Sequence, residues 1–170
     1  MGAFHAAGDI VLLRETDKGR FESLTPGAIA FAAGHAAGIA LYGSRGVRWN
    51  PRATAINVAL GAGVGLGLSA MAKKATIHQI VQGAYAALLL EYVSRGFSTV
   101  GRDDWDTDSA RTIAVGSVVW AVSDALIAVR LATRDGSVMR RVLSVAVMDF
   151  YGSGQLLTQS GLVRALNARH

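Results

Sequence analysis

The sequence contains no cysteine, and charged residues make up only 17% of its 170 residues. The absence of cysteine excludes disulfide bonds, thiolate metal sites and cysteine nucleophiles. Only 2 prolines occur, so long helices can run with little interruption. Because soluble domains usually carry about 25% charged residues, the low charge and the mean hydropathy of +0.33 favour a more apolar class of protein.

The net charge of +5 does not indicate nucleic-acid binding. A nucleic-acid-binding protein carries a continuous basic face or an aromatic stacking platform. Here the basic residues form short groups between apolar runs, such as Arg45, Arg48 and Arg52 or the pair Lys73 and Lys74. Basic groups that flank apolar segments are typical of membrane helices. We therefore expect no nucleic-acid partner.

Six apolar segments bounded by charged residues follow one another along the chain: residues 1–13, 26–43, 53–72, 76–93, 111–131 and 138–162. Most reach the roughly 17 to 25 residues that a helix needs to cross a membrane. They are rich in Ala, Leu and Gly and lack the alternating pattern of a membrane barrel. The sequence predicts an all-α polytopic transmembrane bundle of about six helices, forming a single domain over residues 1–170.

The ends of the segments give further local predictions. The first segment begins at Met1 without a basic region, so we expect no signal peptide. Thr25 is predicted to cap the second helix, with proline following at its first position. Asp108 or Ser109 is predicted to cap the fifth. The acidic run 103–108 lacks the glycine and glutamate of an EF-hand loop, so we expect no metal site there.

The third segment carries glycine at alternate positions from Gly61 to Gly67, which gives two overlapping GxxxG patterns. In a membrane, small residues of this kind allow helix backbones to approach closely. We expect these glycines to pack within the chain, and a homodimer through residues 53–72 is the alternative.

Ionisable residues inside the apolar segments are the candidates for function, because each is costly in a membrane unless it is paired or faces a cavity. Asp9 and Asp124 lie towards the ends of the first and fifth segments, so we expect them at similar depth. His35 lies near the middle of the second segment. These three side chains are predicted to converge on one cavity.

A purely structural role is the alternative for each of these residues. An intramembrane carboxylate can hydrogen-bond a neighbouring helix, and a histidine can serve in packing. His78 and Glu91 lie near segment ends, so we expect them at the membrane interface. Asp149 lies well inside the last segment, so we expect it to be buried.

Four motifs stand in order along the chain: Phe4-x-x-x-Gly8-Asp9-Ile10-x-Leu12-Leu13, Gly27-x-x-x-Phe31-x-x-x-His35, Gly116-x-x-x-Trp120-x-x-Ser123-Asp124-Ala125-Leu126-Ile127-Ala128 and Tyr151-x-x-x-Gln155-Leu156-Leu157. Over essentially its whole length the chain thereby resembles the YhhN-like lysoplasmalogenase family of membrane proteins. Members of that family typically have about eight membrane helices, so the six segments are expected to correspond to all but the first two.

The resemblance implies a membrane hydrolase that cleaves the vinyl ether bond of lysoplasmalogens, or of a related lysolipid or ether lipid, and releases a fatty aldehyde. Cleavage of an enol ether begins with protonation of carbon and is completed by water. This chemistry suits two carboxyl groups with separated pKa values, as in glycoside hydrolysis. The resemblance implies Asp9 and Asp124 as the catalytic pair. It implies orienting or substrate-binding roles for His35, Ser123, Tyr151 and Gln155.

No cofactor and no metal are expected for this chemistry. The expected partners are the lysolipid substrate and membrane lipid, and the expected location is a bacterial cytoplasmic membrane. A proton-coupled transporter is an alternative, because it would also use intramembrane carboxylates and a histidine, although no clear inverted repeat is evident. A non-catalytic lipid-binding membrane protein is the third hypothesis. Release of aldehyde from a lysoplasmalogen separates the enzyme from both.

Overall fold

A computed structural model describes residues 24–133 and 136–168, and every regular element in this part of the chain is an α-helix. The helices are α1 (Thr25–Ser44), α2 (Pro51–Ala72), α3 (Ile77–Phe97), α4 (Thr107–Ala132) and α5 (Val138–Asn167). They match the second to sixth predicted segments, with ends that differ by a few residues. The predicted all-α fold is confirmed, and the first predicted segment lies outside the described residues.

Short polar side chains begin three of these helices. Asn50 caps α2 by accepting hydrogen bonds from two backbone N–H groups of its first turn. Ser137 caps α5 by accepting one hydrogen bond, from the backbone N–H of Arg140. Asp106 caps α4, because its carboxylate accepts from the backbone N–H of Ser109 at 2.8 Å. The prediction of Asp108 or Ser109 as this cap was wrong, since the helix begins earlier than the apolar run suggests.

The start of α1 also differs from the prediction. Leu24 occupies the N-cap position and no side chain caps the helix, although Pro26 lies in its first turn as predicted. The hydroxyl group of Thr25 is instead hydrogen-bonded to Nδ1 of His78 at 2.9 Å. Thr25 therefore ties α1 to the beginning of α3, and His78 is half-buried in that contact.

Two of the described helices are long and apolar enough to cross a membrane. They are Pro51–Ala72, with a mean hydropathy of 1.6, and Thr107–Arg130, with a mean hydropathy of 1.9. Only 11% and 33% of their most apolar stretches are buried within the chain, which leaves most of their hydrophobic surface facing outward. The other three helices have membrane-spanning lengths, but polar residues interrupt them, such as His35 in α1 and Asp149 in α5.

The chain divides into two compact units, Met1–Ser94 and Arg95–His170. The first contains α1, α2 and most of α3, and the second contains α4 and α5. The boundary falls near the end of α3. A single domain over residues 1–170 stays a prediction.

Within the first unit, alternate glycines of α2 lie in different surroundings. A Cβ atom at Gly61 would lie only 2.5 Å from the carbonyl oxygen of Gly83 in α3, and one at Gly65 would lie 3.2 Å or less from the same helix. A Cβ atom at Gly63 or Gly67 would meet no heavy atom within 4 Å. One glycine face thus packs within the chain as expected, and the homodimer stays a prediction.

Candidate functional site

In the second unit, α4 and α5 approach each other at backbone distance because glycines lie at their contact. A Cβ atom at Gly154 would lie 2.6 Å from the backbone nitrogen of Trp120. A Cβ atom at Gly116 would lie 2.7 Å from the backbone nitrogen of Thr158. Such close approach requires a residue without a side chain. The glycines thereby set the spacing of the two helices that carry the neighbouring candidate residues.

These contacts fix the two helices in one antiparallel register. Ser123 is fully buried, and its Oγ donates a hydrogen bond to the carbonyl oxygen of Val147 at 3.0 Å. Trp120, one turn earlier in α4, contacts Gly154, which lies about two turns later in α5. A residue further along α4 therefore meets a residue earlier in α5. Ser123, one of the predicted orienting residues, acts here as a link between the helices.

The register brings three further predicted residues to the same stretch of this helix pair. Trp120 is 1% exposed, and its ring lies edge-on to the ring of Tyr151, with centroids 5.9 Å apart. Asp124 follows Trp120 by one turn on the same face of α4, and Gln155 follows Tyr151 by one turn on α5. The side chains of Asp124, Tyr151 and Gln155 are half-buried. The pair thus carries a carboxyl group, a phenol and an amide, groups able to transfer a proton and to orient a polar substrate.

His35 lies in the first unit and is 1% exposed. Its Nδ1 lies 2.7 Å from the carbonyl oxygen of Phe31, so Nδ1 carries a proton and donates this hydrogen bond. The neutral ring then carries its lone pair on Nε2. The rings of Tyr85 and Tyr92 meet the imidazole edge-on, with centroids 5.7 and 5.0 Å away. The two tyrosine rings hold the histidine ring in one orientation. A fixed ring is compatible both with a packing role and with a role in orienting substrate.

Asp9 and Asp149 were also predicted to lie inside apolar segments. Asp9, the second predicted catalytic carboxylate, lies outside the described residues. Asp149 is exposed on α5, so the prediction that it is buried was wrong. Its position along the helix was read correctly, but its neighbour Val147 faces α4 and Asp149 faces away.

A polar network in the first unit was not predicted. Glu91 of α3 is half-buried, and its Oε2 accepts hydrogen bonds from the hydroxyl of Thr54 at 2.9 Å and the amide of Asn57 at 3.1 Å. The same amide donates to Oγ of Ser94 at 3.1 Å. The hydroxyl of Thr54 also accepts from the indole Nε1–H of Trp49 at 2.8 Å. We call these five residues the Glu91 network.

The sequence contains one signal that could have pointed to this network. Thr54 and Asn57 are three residues apart in α2, and Glu91 and Ser94 are three residues apart in α3. Polar residues with this spacing share one helix face. Two such pairs on successive apolar helices favour a contact between those faces, because buried polar groups in a membrane need partners.

The described residues include no group of three or more His, Asp or Glu side chains that could hold a metal ion. In the acidic loop before α4, the guanidinium group of Arg102 forms two hydrogen bonds with Asp104, both 2.8 Å long. Hydrogen bonding by Ser109 to its carboxylate holds the pKa of Asp106 below its ordinary value. Asp104 therefore forms an ion pair, and Asp106 forms a helix cap.

Comparison with known proteins gives one match. The model of the YhhN family matches residues 3–162, which covers nearly the whole chain and all five described helices except the end of the last. No curated protein and no solved structure matches the chain.

Proposed function

This chain belongs to the YhhN family, and on that basis we propose that it is a membrane-embedded hydrolase that cleaves the vinyl ether bond of lysoplasmalogens or of a related ether lysolipid. The two helices able to cross a membrane and the family together indicate a membrane protein. The proposal places it in a bacterial cytoplasmic membrane, where its lipid substrate and the surrounding lipids are its partners.

The chemistry needs an acid and a base. A carboxylic acid first donates a proton to the vinyl carbon that is not bonded to oxygen, and the adjacent carbon becomes an oxocarbenium centre. Water adds to that centre while a carboxylate accepts one water proton, which gives a hemiacetal. The second carboxyl group then protonates the departing ether oxygen, and the first carboxylate recovers a proton from the hemiacetal hydroxyl. One water is consumed, and an aldehyde and an alcohol are released.

We assign the acid to Asp124 and the base or charge-stabilising carboxylate to Asp9, and the exchanged assignment is the alternative. Tyr151, Gln155 and His35 orient the water or the head group in this proposal, and Ser123 holds α4 against α5 beside the acid.

The observation that supports this proposal best is the placement of Asp124. It is half-buried one turn beyond Trp120, on the stretch of α4 whose register lies within about one turn of Tyr151. Half-burial keeps a carboxyl group close to solvent and to apolar surroundings at once. Both are needed by a group that protonates a lipid carbon and exchanges its proton between turnovers.

Release of fatty aldehyde from a lysoplasmalogen by the purified chain in detergent tests the proposal directly. Loss of a general acid typically lowers turnover by about 100- to 10,000-fold, so Asp124→Asn should lower aldehyde release at least about a hundredfold. Asp149→Asn is the matched control, because it makes the same chemical change at an exposed position of α5. Asp9→Asn tests the second carboxylate in the same assay.

The outcomes separate the hypotheses. Aldehyde release that is lost in Asp124→Asn and kept in Asp149→Asn supports the enzyme and its acid. Full turnover of a folded Asp124→Asn protein would refute the assignment of the acid. No aldehyde from the unmodified chain, together with proton flux in liposomes, would favour a transporter.

A further inference from the structure

Three arginines stand close in sequence to one exposed tryptophan where α1 ends and α2 begins. Residues 45–52 contain Arg45, Arg48, Trp49 and Arg52 and no acidic residue. Arg48 and Arg52 are exposed, and Arg45 is half-buried. Among the residues that the structure describes, none of these three arginines forms an ion pair. We call residues 45–52 the basic corner.

The tryptophan of the basic corner is exposed but held in place. Its side chain is 63% exposed, yet its indole Nε1–H donates to Thr54, whose hydroxyl donates in turn to Glu91. Asn57 holds the same carboxylate oxygen. A chain of hydrogen bonds thus runs from the exposed indole to a half-buried carboxylate and restricts the orientation of the ring. The Glu91 network therefore fits a role in presenting Trp49 outward.

The basic corner ends in the first two residues of α2, a helix with the length and composition of a membrane span. Asn50 caps that helix, and the apolar stretch begins within its first turns. Residues at this position lie at the level of the lipid head groups when the helix crosses a membrane. Tryptophan is enriched at this level, because its ring is apolar and its N–H is polar. Arginine there can extend its guanidinium group to the lipid phosphates.

From these observations we propose that the basic corner is a binding site for an anionic phospholipid, with Arg48 and Arg52 contacting its phosphate and Trp49 lying among the head groups. A guanidinium group pairs with a phosphate through two parallel hydrogen bonds, which gives direction as well as charge. Thr54 and Glu91 are positioning residues that orient Trp49. The site belongs to the first unit and is independent of the proposed hydrolase activity.

The intrinsic fluorescence of the protein provides the assay. The chain has three tryptophans, of which Trp105 and Trp120 are 7% and 1% exposed and Trp49 is 63% exposed. The full chain is reconstituted in phosphatidylcholine vesicles that contain a small fraction of brominated lipid, either phosphatidylglycerol or phosphatidylcholine. Bromine quenches a nearby indole, so the ratio of the two quenching curves gives the preference for the anionic lipid. Trp49→Phe supplies the background signal.

We expect the unmodified protein to prefer brominated phosphatidylglycerol. A basic side chain near an anionic surface contributes about 1 kcal/mol, or about a fivefold preference, so Arg48→Gln combined with Arg52→Gln should lower the preference about 25-fold. The matched control is Lys73→Gln combined with Lys74→Gln, which removes two exposed charges just beyond the other end of α2. This control should keep the preference.

Each of three results would overturn the proposal. Equal quenching by the two lipids in the unmodified protein would show that the corner does not recognise anionic lipid. An equal loss in the lysine control would show that only the net charge of the protein matters. If the double arginine variant does not fold, the unmodified protein is measured at rising salt. A preference that disappears by about 0.5 M salt supports the phosphate contact, and one that is insensitive to salt contradicts it.

Discussion

Replacing Gly154 by alanine should force α4 and α5 apart. The new Cβ atom would lie 2.6 Å from the backbone nitrogen of Trp120, 2.9 Å from its Cα and 3.0 Å from the carbonyl oxygen of Gly116. All three are backbone atoms, which cannot rotate away as the end of a side chain can. Because non-bonded heavy atoms need about 3.5 to 4.0 Å, the helices must separate by roughly 1 Å.

Two opposing effects on the free energy of unfolding are expected for Gly154→Ala, namely overpacking and the higher helix propensity of alanine. Overpacking a close contact typically costs about 1 to 3 kcal/mol, whereas alanine in place of glycine favours a helix by about 1 kcal/mol. Gly152 lies on the same helix two residues earlier, and a Cβ atom there meets nothing within 4 Å. Gly152→Ala should therefore gain helix propensity without overpacking the contact between the helices. The two variants should differ in free energy of unfolding by about 1 to 3 kcal/mol.

Thermal unfolding of both variants in the same detergent, followed by circular dichroism, measures this difference. Gly154→Ala should melt below the unmodified protein or close to it, and Gly152→Ala at the same temperature or above. The near-ultraviolet signal of Trp120 should change only in Gly154→Ala, because its backbone contacts that glycine. Identical melting temperatures for the two variants would refute the backbone contact between α4 and α5.

Two further predictions concern the network and the helix cap. Thr54→Val removes the hydroxyl between Trp49 and Glu91, so the fluorescence anisotropy of the protein should fall. Thr133→Val should leave it unchanged, since that hydroxyl, just after the end of α4, donates only to the carbonyl oxygen of Val129 in the last turn of the helix. The lowered pKa of Asp106 means that its ionised form stabilises the fold above the ordinary carboxyl pKa, and that this contribution is lost as pH falls through the lowered value. The melting temperature of the unmodified protein should therefore rise relative to that of Asp106→Asn between about pH 3 and pH 5, and a constant difference would contradict this.

The sequence alone was enough to locate the helices and to recognise the family. Apolar runs bounded by charge predicted the five described helices, because the length and composition of a membrane helix are local properties. The motifs around His35, Asp124 and Tyr151 indicated the family that the comparison confirmed. The all-α fold followed from the same runs. These predictions needed no knowledge of which helices are neighbours.

The faces of the helices were harder to predict. The alternating glycines of α2 predicted close packing, but the sequence did not indicate that Gly61 faces α3 while Gly63 remains open. Asp149 was placed correctly along α5 and wrongly on its buried side. Both cases have one cause. Hydropathy gives the position of a residue along a helix, whereas its rotation towards a neighbour depends on the side chains of that neighbour.

The contacts of the Glu91 network could not be predicted from the sequence for the same reason. Glu91 was expected at the membrane interface from its place near a segment end, and its partners Thr54 and Asn57 come from a helix more than thirty residues earlier in the chain. No local sequence pattern indicates which hydrogen-bond donors of one helix will contact a carboxylate on another. The sequence determined where the helices lie and which family they form. Only the tertiary structure decided which polar groups meet, because those contacts depend on the register of one helix against another.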